Sequence, residues 1–126
     1  MTVFISYANV DGELIQNFMH YLRQMRYSVD ATPRQGDQCG ADWMERINGS
    51  VLFVAVMSPA AVEQEICQVE RAYAQQQALP MVVVLLKAVP QMPAELAEAA
   101  VVDARGKKGS QAARLLELEM KARGVW

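Results

Sequence analysis

The 126-residue sequence predicts an α/β domain built on a central parallel sheet. Three observations carry that reading. Four apolar runs, TVFISY (2–7), VLFVAVM (51–57), MVVVLL (81–86) and AVVD (100–103), are continuous rather than alternating and rich in valine. Strands buried on both faces of a parallel sheet have this texture. The segments between them carry helical periodicity, so the order reads as β-α repeated along the chain. No repeat and no linker divides the chain, which predicts a single domain over 1–126.

Each element has a local cause. Residues 11–26 place Leu14, Phe18, Leu22 and Met25 at helical spacing, and Asn9 or Asp11 is able to cap the start. YSVDA (27–31) is a weaker strand, suited to an edge. Residues 42–48 form a short helix closed by Gly49. Ser58 is a good N-cap with Pro59 at the first helical position, opening a helix that runs to 74. PAELAEA (93–99) is a short helical turn. Residues 110–123 form a final amphipathic helix with Leu115, Leu116 and Met120 on one stripe and Lys121 and Arg123 near its end. The polar stretch TPRQGDQCGAD (32–42) is the one long loop, and such loops in compact α/β domains tend to be functional.

Composition excludes several classes. Hydrophobic residues make up 52% and charged residues 21%, which suits a soluble globular domain. A formal charge of −2 offers no footprint for nucleic acid. Two cysteines, Cys39 and Cys67, and one histidine, His20, do not assemble a zinc ligand set or a disulfide framework. No run approaches the ~20 apolar residues of a membrane span, and the N-terminus lacks the features of a signal peptide. A cytoplasmic protein with free thiols, no metal and no cofactor is expected.

In open parallel sheets, ligands sit beyond the carboxyl ends of the strands where strand order reverses. Here those ends are Ser6-Tyr7-Ala8, the 32–42 loop, Met57-Ser58 and Lys87 onwards. No GxGxxG or GxxxxGK[ST] follows a strand, which argues against an ordinary dinucleotide-binding fold and against a P-loop. Met57-Ser58 stands where a phosphoacceptor aspartate would be needed. No GxSxG is present, and His20 falls inside the first helix.

One helix holds an unusual pair. At ~100° per residue, Val62, Ile66, Val69 and Tyr73 share one face of the 58–74 helix, expected to pack on the sheet. Glu63, Cys67 and Glu70 form a second stripe beside it. Periodicity alone leaves Glu70 either as a solvated carboxylate paired with Arg71 or a lysine, or as a flank residue looking into a cleft.

Taken together, these segments resemble a TIR (Toll/interleukin-1 receptor) domain of the bacterial type over nearly the whole chain. VFISYANVD is similar to the opening strand and loop of that family. GDQC (36–39) sits where the family has Gly-Asp-x-Trp, and Ser50 precedes the third strand. Ser58-Pro59 followed by Cys67 and Glu70 matches Ser-Pro … Trp-Cys-x-x-Glu in spacing. PMVVVLL and VVDARG match the last two strands. Ile66 and Cys39 stand where the family usually has Trp, Ala61 where Tyr is common, and Val51 where Asp often follows Ser. Trp43 is a nearby aromatic that could replace one of them.

The resemblance implies a flavodoxin-like three-layer sandwich, with a five-stranded parallel sheet and helices on both faces. It also implies membership of the subset that cleaves NAD⁺, as a glycohydrolase or cyclase. In that subset the glutamate of Cys-x-x-Glu is catalytic, a role carried here onto Glu70. Ser6, Tyr7, Ala8, Gly36, Asp37, Trp43 and Cys67 are the implied substrate-binding residues, Cys67 as a small packing residue rather than a nucleophile. Expected partners are NAD⁺ as substrate, other TIR domains in an oligomer or filament, and a fused or separate sensor in an antiphage system. A TIR adaptor without enzymatic activity, recruiting through the 32–42 loop, is the alternative. A domain acting on another nucleotide through the same carboxylate is a third.

Overall fold

A computed structural model describes the protein over residues 2–31 and 42–124. The Gly36, Asp37 and Cys39 positions lie outside the described residues. Five strands form one parallel sheet: β1 (Thr2–Ser6), β2 (Ser28–Ala31), β3 (Leu52–Met57), β4 (Met81–Leu85) and β5 (Ala100–Asp103), in the order β2-β1-β3-β4-β5. The helices are α1 (Gly12–Gln24), α2 (Asp42–Asn48), α3 (Pro59–Glu63), α4 (Glu65–Gln76) and α5 (Gly109–Ala122). Single 3₁₀ turns occupy Asn9–Asp11 and Ala94–Leu96.

The valine runs are continuous because both faces of the sheet are covered. Successive side chains alternate between two cores. Val3, Ile5, Val54, Val56, Val82 and Val84 pack with Ile15, Phe18 and Leu22 of α1 and Ala113, Leu116 and Met120 of α5. Phe4, Phe53, Ala55, Met57 and Val83 pack with Trp43 and Ile47 of α2, Ala61 of α3 and Cys67 and Ala74 of α4. Phe4 and Phe53 are register partners, and their rings stack at 5.7 Å. The weak strand at 27–31 is an edge strand, as its half-polar sequence requires. Among the described residues no helix is long and apolar enough to cross a membrane.

Three local expectations change. In α1 the buried stripe is Ile15, Phe18, Met19 and Leu22, while Leu14 faces outward. Asp11 does occupy the N-cap position of α1 but makes no side-chain cap bond there. Its carboxylate is engaged by Ser58 and Lys87 from two other strand ends.

The 58–74 helix is also not continuous. Ser58 caps α3 as expected, its Oγ accepting from the Ala61 N–H at 3.2 Å. Gln64 then turns extended (φ −68°, ψ 125°) and α4 starts afresh at Glu65. The interruption resets the helical phase. The buried stripe of α4 becomes Cys67, Glu70, Arg71 and Ala74, an i, i+3, i+4, i+7 set. Val69, expected on the sheet face, is exposed, and Val62, Ile66 and Tyr73 are half-buried.

Candidate functional site

Strand order reverses between β1 and β3, so their carboxyl ends form the crevice where an open α/β sheet takes its ligands. Among the described residues two buried carboxylates gather at this edge. Glu70 is fully enclosed at 0% exposure, and Ser6 Oγ donates to its Oε1 at 2.8 Å. Asp11, 1% exposed, accepts from Ser58 Oγ at 2.6 Å and, through Oδ1, from Lys87 Nζ at 3.3 Å. A buried carboxylate persists only where donors replace its lost water. Each has at least one here.

The backbone is clamped around these groups. The Asn9 N–H, just past β1, donates to Gln64 Oε1 at 3.0 Å. That bond ties the extended link between α3 and α4 to the end of β1. Ser58 serves twice, donating to Asp11 and accepting from Ala61. Arg71, buried beside Glu70, donates from Nη1 to the Ala61 carbonyl at 2.9 Å, and its Nε lies 3.9 Å from Glu95 Oε1. Burial pushes this guanidinium below its ordinary value, against the opposing pull of Glu95, Cys67 and Glu70. The arginine therefore fastens α3 to α4 at the turn that presents Glu70.

Cys67 is buried beside Ser6 and Glu70. Burial, then the Glu70 charge, pushes its thiol up to about 12, while Arg71 and a hydrogen bond with Ser6 pull the other way. A thiol held this far up is protonated and a poor nucleophile.

The predicted positions separate by sheet face. Ser6, Cys67 and Glu70 meet directly, and Ala8 is buried in the core beneath α2–α4. Tyr7 packs in the opposite core, under α1 and α5. Trp43 sits on the α2–α4 side, edge-on to the ring of Tyr73 at 5.3 Å, with the Tyr73 hydroxyl accepting from Asn48 Nδ2 at 2.7 Å. Glu70 itself is not on a flank: the reset phase of α4 points it into the protein.

Sequence reasoning missed Asp11, Gln64, Arg71 and Lys87. Asp11 was visible only as a cap and Arg71 only as a surface partner. The one signal for Lys87 was its place as the charged residue ending an apolar strand run.

Comparison with known proteins agrees with the geometry. The TIR domain of the Toll-related receptor TRR-2 from Hydra magnipapillata superposes with a TM-score of 0.68 at 20% identity, over 97% of this chain and 95% of that one. Clostridium botulinum CMP N-glycosidase, BcmB, gives 0.65 at 18% identity, over 94% and 99%. The sugar isomerase domain of the RpiR transcription factor from Sphaerobacter thermophilus gives 0.61 at 14% identity, over 97% and 70%. At these identities the likeness speaks to fold. No curated protein matches the chain. The family model for the TIR domain matches residues 3–117, the span that holds β2 to β5, all of β1 but Thr2, and every residue of the Ser6–Glu70 and Asp11–Lys87 clusters. The chain therefore belongs to the TIR-domain family.

Proposed function

We propose that the chain is an NAD⁺ glycohydrolase, with Glu70 as its catalytic carboxylate and activity switched on by assembly with other TIR domains. The observation that carries this reading is the enclosed Glu70 carboxylate held by Ser6 at the carboxyl end of β1.

The chemistry asks for one carboxylate. In NAD⁺ the bond from ribose C1′ to the nicotinamide nitrogen breaks with its electron pair going to the ring. The ring was cationic and leaves neutral, so no acid is required. Positive charge develops on the ribose, and a carboxylate fixed in a low-dielectric wall stabilises it strongly. Glu70 would exchange the Ser6 hydroxyl for a ribose hydroxyl as its donor. Water then adds to C1′ and releases a proton, giving ADP-ribose. Attack by the adenine instead gives a cyclic product. Cys67 remains a protonated packing group beneath the carboxylate.

Domain assembly, a cytoplasmic setting and a sensor that triggers NAD⁺ loss in bacterial antiphage defence belong to the same proposal. They rest on family membership.

A second reading has one specific support: an enzyme of like fold and length is named as a CMP N-glycosidase. Its substrate would be a nucleoside monophosphate and its bond again an N-glycosidic one. In CMP the base is uncharged, so cytosine would leave as an anion unless it gains a proton. Asp11, the other buried carboxylate among the described residues, is already engaged by Ser58 and Lys87, which favours the cationic leaving group of NAD⁺.

The test is nicotinamide release by the purified chain, forced to oligomerise and compared with Glu70→Gln. Release by the first and not the second supports the proposal. No release by a verified assembly sinks it and leaves the adaptor role. Cytosine release from CMP in place of nicotinamide would establish the second reading.

A further inference from the structure

We propose that Lys87 binds a phosphate of the nucleotide whose ribose lies at Glu70, an inference that rests on the nucleotide-cleaving reading of that site. Lys87 is the first charged residue beyond β4, and its own N–H donates to the Met57 carbonyl at 3.3 Å, which pins its backbone to the end of β3. Its Nζ then reaches back to Asp11 Oδ1 at 3.3 Å. The lysine thus joins the ends of β3 and β4 to the loop that follows β1.

The two partners differ sharply in exposure. Asp11 is sealed at 1%, while 55% of the Lys87 side chain remains open. One of the three ammonium donors is held by the carboxylate, and the open side faces solvent at the strand ends. A free surface lysine loses much rotamer entropy when it fixes on a ligand. Here the ammonium is already held in place, and Asp11 is itself held by Ser58.

The placement also fits. Ser6 fixes Glu70 over the end of β1, and the Lys87 ammonium reaches Asp11 in the loop that follows the same strand, so both groups stand at one edge of the sheet. The pairing of a carboxylate for the sugar and an ammonium for the phosphate selects nucleotides over nucleosides.

The experiment uses ADP-ribose, which carries phosphates but no nicotinamide bond, so binding is read apart from turnover. Adenosine is the phosphate-free control. Lys87→Met is expected to weaken ADP-ribose binding by about 10-fold or more, the worth of a charge-assisted hydrogen bond, while adenosine binding stays unchanged. Lys87→Arg keeps most of the affinity. Equal ADP-ribose affinity in wild type and Lys87→Met overturns the proposal. So does an equal loss of adenosine binding, which would mark Lys87 as a structural counter-ion of Asp11, and so does wild type that binds no ADP-ribose. Lys87-dependent binding without nicotinamide release by the assembled chain would refute the glycohydrolase reading and leave the phosphate site standing.

Discussion

Ser6 and Glu70 are 64 residues apart in the chain, yet the serine hydroxyl donates to the glutamate carboxylate at 2.8 Å, inside a wall that water does not reach. This bond joins the end of β1 to the middle of α4 across the switch point of the sheet. It places a carboxylate at the strand ends where open α/β sheets take ligands, at a cost that packing alone would not select.

That cost makes the first prediction specific. Glu70→Gln keeps an oxygen for Ser6 to donate to and removes a buried charge, so the melting temperature should stay level or rise. NAD⁺ cleavage should fall by at least about 100-fold, as when a residue that stabilises transition-state charge is removed. Paired calorimetry and nicotinamide assays check both halves. A large drop in melting temperature would mean that the carboxylate is structural.

Ser6→Ala leaves Glu70 Oε1 without this donor. A buried charged group deprived of a hydrogen bond costs about 1–3 kcal/mol. Urea unfolding should show the midpoint falling with its slope unchanged. The same substitution in a Glu70→Gln background should cost less, because the acceptor is then neutral.

Cys67 predicts an alkaline weakness. Its thiol moves from 9.0 to about 12 on folding, from burial and the neighbouring Glu70 charge. Below pH 9 it is protonated in both states and adds no slope. Between about 9 and 12 only the unfolded chain ionises, so stability falls as pH rises, at up to about 1.4 kcal/mol per unit. Cys67→Ala should flatten that limb of a stability-against-pH curve. In a Cys39→Ser background, the native protein should resist thiol reagents at pH 8 and react only on unfolding.

Two helices end in the left-handed conformation without glycine. Arg26 (φ 73°) follows α1, and the Tyr27 N–H closes onto the Leu22 carbonyl at 3.2 Å. Ala78 (φ 57°) follows α4, with the Leu79 N–H on the Ala74 carbonyl at 3.1 Å. Both are Schellman closures, where glycine avoids a side-chain penalty of ~1 kcal/mol. Arg26→Gly and Ala78→Gly should each raise the melting temperature by a few degrees in thermal unfolding.

The opposite holds at Gly109, the first residue of α5. A Cβ there would lie 2.9 Å from both Asn17 Cβ and the Phe18 nitrogen of α1. Backbone cannot yield as a side-chain tip does, so Gly109→Ala must push α5 off α1. A loss of about 1–3 kcal/mol is expected in chemical denaturation.

How much of this was legible in the chain depends on how far each cause reaches. The strands were, because continuous valine runs report burial on both faces whatever their neighbours are. Ser58-Pro59 announced a helix start, and the polar texture of 27–31 announced an edge strand. The family resemblance marked Glu70 as a residue of interest, though it could not say which way the side chain points.

That direction was decided in three dimensions. Periodicity assumes an unbroken helix, and the break at Gln64 comes with a bond to the Asn9 N–H, 55 residues away. The phase it resets turns Glu70 from the flank to the interior and Val69 to the surface. Asp11 was read as a local cap because its partners, Ser58 and Lys87, lie 47 and 76 residues downstream. Local patterns of apolar residues thus determined the layers of this protein. The tertiary structure determined its site, because a buried charge is stable only where donors from distant strand ends converge on it.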